Sequence, residues 1–347
     1  MKYFLIVCMM ALLLVSCATT SETVQVEEPV VEVVVEPVEE PVEEPVVEEI
    51  VEEVYNEEED PDFLFNRGNR YAAEGDMERA IADYSAALER RPEFPEALVN
   101  RGLAYAKQGD HDRAIEDYDA ALSLRPDFPE ALYNRGVAYS VKGDDDRAIA
   151  DYTAALNLWP DYPEALNNRG HSYNNKGDYD AAIADFNAAL RIRPEFPDAL
   201  YNRGISYRNK NDYNRAIADY TASLNLKPED HEALYNRGNA YLRLGNNDRA
   251  IEDYTAALNI KSDYPEALIN RGAAYDNKGD NDRAIADYNA ALGITPNTPE
   301  ALYNRGIAYA MKGEINRAIA DWEAVLRVQP NHPNARQTIE ATRQQQR

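Results

Sequence analysis

Lysine and arginine are missing from a long stretch of this chain: after Lys2 neither appears until Arg67, while residues 22–60 carry sixteen glutamates and Asp60. That stretch supplies −17 of a formal charge of −26, and from Pro61 onward 35 basic side chains stand against 45 acidic ones. So anionic a chain lacks the basic patch that a phosphate backbone or an anionic lipid surface requires, which excludes nucleic acid as a partner. Cysteine is scarce too. Cys8 and Cys17 are the only two, so nothing beyond residue 17 can depend on a disulfide. The four histidines (His111, His171, His231, His332) share no recurring spacing, so no metal-ligand pattern forms. Neither a phosphate-binding glycine loop nor a nucleophile motif is present. The sequence therefore predicts no enzyme, no cofactor and no metal site.

Long apolar runs are lacking as well. The one candidate, Tyr3 to Val15 behind Lys2, falls short of the roughly 20 residues of a membrane-spanning helix and has the layout of a secretory leader. It closes on Leu14-Val15-Ser16-Cys17, which resembles the bacterial lipobox. That resemblance implies a signal peptide over 1–16, lipidation of Cys17, and a protein anchored in the bacterial cell envelope, touching the membrane only through the N-terminal lipid. Ala18 in place of an aspartate after the cysteine implies the outer membrane, facing the periplasm. Residues 17–60 follow as the lipidated cysteine and a linker. Valine, glutamate and proline alternate there without a helical period, Pro29, Pro37, Pro41 and Pro45 interrupt any helix, and like charges hold the chain open.

What the remainder does have is a tripeptide written eight times. Asn-Arg-Gly begins at Asn66, Asn100, Asn134, Asn168, Asn202, Asn236, Asn270 and Asn304, always 34 positions apart. Eight units follow over 61–332, starting at Pro61, Pro95, Pro129, Pro163, Pro197, His231, Pro265 and Pro299. Each contains two apolar stretches split by a turn. In the third unit Leu132, Gly136 and Tyr139 mark one face of a first helix. Ala148, Ile149, Tyr152, Ala155 and Leu156 mark a second, at the spacings of three, four and seven that predict amphipathic helices. Gly143 suits a left-handed residue after the first helix, as does Asn211 at the same place in the fifth unit.

The residues Leu132, Gly136, Tyr139, Ala148, Tyr152, Ala155 and Pro160, with their equivalents, resemble the tetratricopeptide repeat. The departures are Ser223 and Val325 where alanine is usual, and Ser262 where proline is. The resemblance implies an all-α, right-handed superhelical solenoid of eight helix-turn-helix units, whose first helices line a concave groove. Residues 333–347 are expected to add a short capping helix with Ala335 and Ile339 facing inward. Each arginine of the tripeptide stands sixteen residues before an aspartate, from Arg67 and Asp83 to Arg305 and Asp321. In an antiparallel helix pair such positions lie at similar height. A charge-assisted hydrogen bond is predicted between them, or from an arginine to the aspartate of an adjacent unit.

The asparagines are the functional candidates. The resemblance places the second, fifth, sixth, ninth, twelfth and thirteenth residues of each unit in the groove. Asn66, Asn100, Asn134, Asn168, Asn202, Asn236, Asn270 and Asn304 all hold the sixth place, and an amide offers a donor and an acceptor to any peptide backbone. The alternative, bonds to their own helix or to water with recurrence by duplication, is weakened because the fifth place beside them varies while the asparagine never does. Tyr133, Tyr201, Tyr235 and Tyr303 at the fifth place would add contacts. Acids fill the second place, and the lysine-rich carboxylate clamp of chaperone-binding relatives is missing, so a neutral or basic extended segment is the expected ligand. The reading is an envelope scaffold that binds a peptide or partner protein in its groove. The alternative is a permanent structural or accessory subunit of an envelope assembly or solute transporter.

Overall fold

The computed structural model describes residues 60–345. The expected signal peptide, Cys17 and the linker up to residue 59 lie outside them. Among the described residues there are seventeen α-helices and no strand. Eight antiparallel pairs come first: α1 (Pro61–Glu74) with α2 (Met77–Arg90), α3 (Pro95–Lys107) with α4 (His111–Leu124), α5 (Pro129–Val141) with α6 (Asp145–Leu158), and α7 (Pro163–Asn175) with α8 (Tyr179–Ile192). The series continues with α9 (Pro197–Asn209) and α10 (Tyr213–Leu226), α11 (His231–Arg243) and α12 (Asn247–Ile260), α13 (Pro265–Asn277) and α14 (Asn281–Ile294), and α15 (Pro299–Met311) and α16 (Ile315–Val328). A single helix, α17 (Ala335–Gln345), ends the stack.

Local chemistry sets these boundaries. Proline opens seven of the eight first helices, where its missing N–H has no partner to lose. In α11 His231 takes its place, and the Asp230 carboxylate caps the helix by accepting from the Glu232 and Ala233 N–H groups. Except for α16, which starts behind Glu314 with no cap bond from its side chain, the second helices start behind an Asp or Asn cap. Asp144, for instance, accepts from the Arg147 N–H at 3.1 Å. Gly143 and Asn211 both hold left-handed backbone, with φ of 79° and 61°.

Within a unit the helices meet at the glycine of the tripeptide. A Cβ on Gly136 would lie 2.8 Å from Cε1 of Tyr152, so the fully buried tyrosine ring rests on the bare backbone of α5. Ala148 and Ala155 pack beside it with no exposed surface. Ser223, in an alanine place, keeps its buried hydroxyl satisfied by donating to the Pro197 carbonyl at 3.0 Å. Between units, each helix packs on the ones before and after it, and successive first helices also touch one another along the whole series from α1 to α15. The second helices make no comparable contact with one another. The first helices therefore crowd toward the inside of the stack and form its groove.

The cap sits where a ninth first helix would stand. Ala335 and Ile339 are buried against Trp322 and Val325 of α16. No helix among the described residues is long and apolar enough to cross a membrane.

Candidate functional site

Two rows of polar side chains run the length of the stack. The first is the arginine seam. In all eight units Nε and Nη2 of the arginine donate to the two carboxylate oxygens of the aspartate sixteen residues on, at 2.6–2.9 Å. The aspartates are only 5–8 % exposed, so each forked pair ties the two helices of a unit in a drier setting than a surface pair. The Asp151 carboxylate, by its hydrogen bond, holds the Arg135 guanidinium further above its ordinary range. The bond to a neighbouring unit also exists, but to a different residue from the one expected. Nη1 of the seven later arginines reaches back sixteen residues, to Ser85, Asp119, Thr153, Asn187, Thr221, Thr255 and Asn289 at 2.6–3.1 Å. An aspartate fills that place only at Asp119.

The second row is the asparagines, and its members differ. Asn168 donates to the Tyr133 hydroxyl at 3.0 Å, Asn202 to Oδ1 of Asn167 at 3.1 Å, and Asn236 to the Tyr201 hydroxyl at 2.9 Å. Asn100 donates to Asn69 at 2.8 Å, and Asn270 both to Tyr235 at 3.1 Å and to Asn239 at 2.8 Å. Every one of these acceptors belongs to the preceding unit, at its fifth or ninth place. Asn66, Asn134 and Asn304 make no such bond among the described residues. The reason is legible in their neighbours. Asn66 has no unit before it, Asn134 faces Val99 and Leu103, and Asn304 faces Ile269 and Ala273. A row that the sequence offers as one ladder is thus five inter-unit clamps and three free amides.

The tyrosines are drawn into the clamps. Tyr133, Tyr201 and Tyr235 present their hydroxyls to asparagines of the next unit, and Tyr303 lies 3.4 Å from the Thr338 hydroxyl in α17, which stands where a ninth asparagine would. Their rings pack on the last side chain of their own unit, just before the next unit begins: Tyr133 on Tyr162 with centroids 4.8 Å apart, Tyr235 on Tyr264 at 5.0 Å, and Tyr303 on His332 at 5.0 Å. Burial raises the Tyr133 phenol to about 12, helped by the Glu164 charge.

The acids of the second place divide as well. Arg91, Arg125, Arg193 and Lys227 pair with Asp62, Glu96, Glu164 and Asp198 at 2.5–2.6 Å. Among the described residues no basic side chain pairs with Glu130, Glu232, Glu266 or Glu300. The position that would supply the cation is Trp159, Thr295 and Gln329 in the third, seventh and eighth units, and in the sixth Lys261 lies over the Tyr264 ring instead. A cavity of about 660 Å³ opens in the groove between units five and eight, with Tyr235, Glu266, Ile269, Asn270, Ala273 and Glu300 in its wall. Arg208 and Arg243, from the C-terminal ends of α9 and α11, line it too. Among the described residues no group of three or more His, Cys, Asp and Glu side chains is placed to hold a metal ion.

Comparison with known proteins places this geometry in a family. A tetratricopeptide repeat model matches residues 65–129, 106–163 and 201–265, a TPR repeat model matches 170–210 and 277–313, and a further tetratricopeptide repeat model matches 299–332. Among solved structures, a tetratricopeptide repeat protein from Parabacteroides merdae ATCC 43184 superposes with a TM-score of 0.54 at 22 % identity, covering 75 % of this chain and 98 % of that one. The Cut9–Hcn1 hetero-tetramer of APC/C gives 0.55 at 17 % identity, over 83 % of this chain and 57 % of that one. YrrB, described as a TPR protein with an unusual peptide-binding site, gives 0.50 at 22 % identity, over 55 % and 97 %. At such identities the likeness concerns the fold. No curated protein matches the chain.

Proposed function

This chain belongs to the tetratricopeptide repeat family, and from that premise we propose that it is an interaction scaffold of the bacterial cell envelope that binds an extended peptide or partner protein in its groove. The observation that carries the reading is the groove's unsatisfied polar chemistry. Asn134 and Asn304 present free amides beside apolar side chains of the preceding unit, and a cavity of about 660 Å³ opens along the same face. An amide in that setting matches the alternating donors and acceptors of an extended backbone, with the apolar residues beside it taking side-chain contact. The clamped asparagines hold the groove in one shape, which lowers the ordering cost of binding. The peptide-binding site of YrrB supports such use of the shared fold. Lipidation at Cys17 would tether the scaffold to the membrane, and no catalytic step is assigned to it.

A photoreactive residue in place of Ala273, in the cavity wall, tests the reading in the native envelope, with one at exposed Glu89 on α2 as control. A polypeptide adduct from the groove that disappears with Asn134→Ala and Asn304→Ala supports it, and adducts from the control alone overturn it. Replacement of Cys17 by serine should release the protein from the membrane fraction.

A second reading has its own support. Leu124, Leu158, Ile192, Leu226, Ile260, Ile294 and Val328 occupy the thirtieth place of seven consecutive units and are 39–46 % exposed. Such a recurring aliphatic row suits a permanent subunit joined through one edge. It would copurify with its assembly at fixed stoichiometry and be indifferent to the asparagine substitutions.

A further inference from the structure

Among the described residues, only two units leave both the acid of the second place and the asparagine of the sixth without a protein partner. In α5 these are Glu130 and Asn134, and in α15 Glu300 and Asn304. In units two, four and five the acid is paired and the asparagine is bonded to the preceding unit. In unit one only the amide is free, because Asp62 is paired with Arg91. In units six and seven only the acid is free, because Asn236 and Asn270 are engaged. The two exceptions share one build. Carboxylate and amide stand four residues apart, so they lie on the same helix face one turn from each other. The preceding unit offers Val99 and Leu103 to the first, and Ile269 and Ala273 to the second. At the second the cavity of the groove is already open, and Glu266 adds another uncompensated carboxylate to its wall.

We infer that these two stations read a basic side chain, so that the groove's partner is an extended segment bearing lysine or arginine. The inference rests on the proposal that the groove takes a peptide. The amide of Asn134 or Asn304 engages the segment's backbone, the aliphatic stem of the lysine or arginine lies on the apolar side chains, and its cationic head meets Glu130 or Glu300. Chemistry sets this direction. A carboxylate side chain would be repelled at both stations, and a neutral one would leave the glutamates as they are. The unpaired acids do act on this space: Glu266 and Glu300 contribute to raising the Tyr235 phenol, behind the larger effect of burial. Arg208 and Arg243 enter the same cavity from the C-terminal ends of their helices, whereas Glu266 and Glu300 enter from the first turns of theirs, and Arg208 is held by Asn236 at 2.7 Å.

A display library of random nonapeptides, panned against the full chain, is the test. Recovered peptides should be enriched in lysine and arginine, and single recovered peptides should lose about tenfold in affinity on Glu130→Gln with Glu300→Gln, the size of one charge-assisted hydrogen bond. Glu78→Gln with Glu89→Gln on α2 changes the net charge equally and should leave both enrichment and affinity intact. If the two pairs of substitutions act alike, the preference is a diffuse effect of the chain's negative charge and the stations are overturned. If neutral or acidic peptides are recovered and lose affinity only on Asn134→Ala with Asn304→Ala, the groove reading stands and this inference falls. If no peptide is recovered with wild-type chain, both fall together.

Discussion

In the seam between the helices of a unit, Arg135 meets Asp151, sixteen residues on and inside the same unit. In the groove, Asn168 meets Tyr133, thirty-five residues back and inside another. Both rows are written eight times without substitution, but the seam closes on a partner that is copied with it. The asparagine closes on whatever the preceding unit supplies. Identical letters therefore give eight identical pairs in one region and a mixture of clamps and free amides in the other. Invariance marks architecture where the partner travels with the residue. Where it does not, the variable neighbour decides the role.

The largest effect should come from breaking the seam on one side only. Arg135→Leu strands the buried Asp151 carboxylate and should cost about 3 kcal/mol or more, whereas Arg135→Leu with Asp151→Leu should cost much less. Urea melts followed by circular dichroism measure the difference. Equal losses in the single and double variants would show that the arginine acts by packing. Next comes Gly136→Ala, which pushes a methyl group into the Tyr152 ring and should cost about 1–3 kcal/mol. A Tyr152→Phe background, with the same ring, should not relieve it.

The groove predictions are smaller and separate its members. Asn236→Ala removes a bond to Tyr201, one to the Glu232 carbonyl and one from Arg208, and should cost about 1–2 kcal/mol. Asn134→Ala and Asn304→Ala should leave the melting transition within about 0.5 kcal/mol, as at a surface site. Comparable losses at all three would erase the distinction between clamps and free amides.

One further effect, no larger than that of Asn236→Ala, depends on pH. Asp276 of α13 occupies the groove place that Arg208 holds in α9. One of its oxygens is buried without a protein partner, the other accepts from the Tyr288 hydroxyl at 2.8 Å, and burial raises its carboxyl to about 6. An acid whose folded pKa exceeds its unfolded value destabilises the fold when ionised. That penalty grows as pH rises from the unfolded value through 6 and vanishes at low pH. Asp276→Asn should therefore stabilise the protein by about 1 kcal/mol at pH 7.5, allowing for partial solvent screening, and hardly at all at pH 3.5. A gain independent of pH would point to shape rather than charge.

Much of this was legible before any coordinates. The period fixed eight helix pairs, the sixteen-residue spacing gave every seam pair, and Gly143 and Asn211 announced left-handed turns. Two things were not. The arginine's third bond falls on a place that varies among Ser85, Asp119, Thr153 and Asn187, and its signal is that every member is polar. The division of the asparagines was harder to see because each acceptor lies 31 or 35 residues back. Reading along one unit cannot show it. Setting each asparagine beside the fifth and ninth residues of the unit before it would have, since Val99 and Ile269 offer no acceptor.

The inter-unit bonds of the repeated tripeptide run one way, from its asparagine and arginine to acceptors in the unit before. Units spelled nearly alike are consequently not interchangeable parts. Excision of residues 129–162 would preserve the period and the seam, yet it would bring Asn168 against Val99 and Leu103 and leave its amide without an acceptor. Glu164 and Arg193 would travel together and stay paired, so the new junction would reproduce the amide half of a station without its carboxylate. Lengthening or shortening such a chain by whole units rewrites the groove at each splice, even where no residue has been mutated.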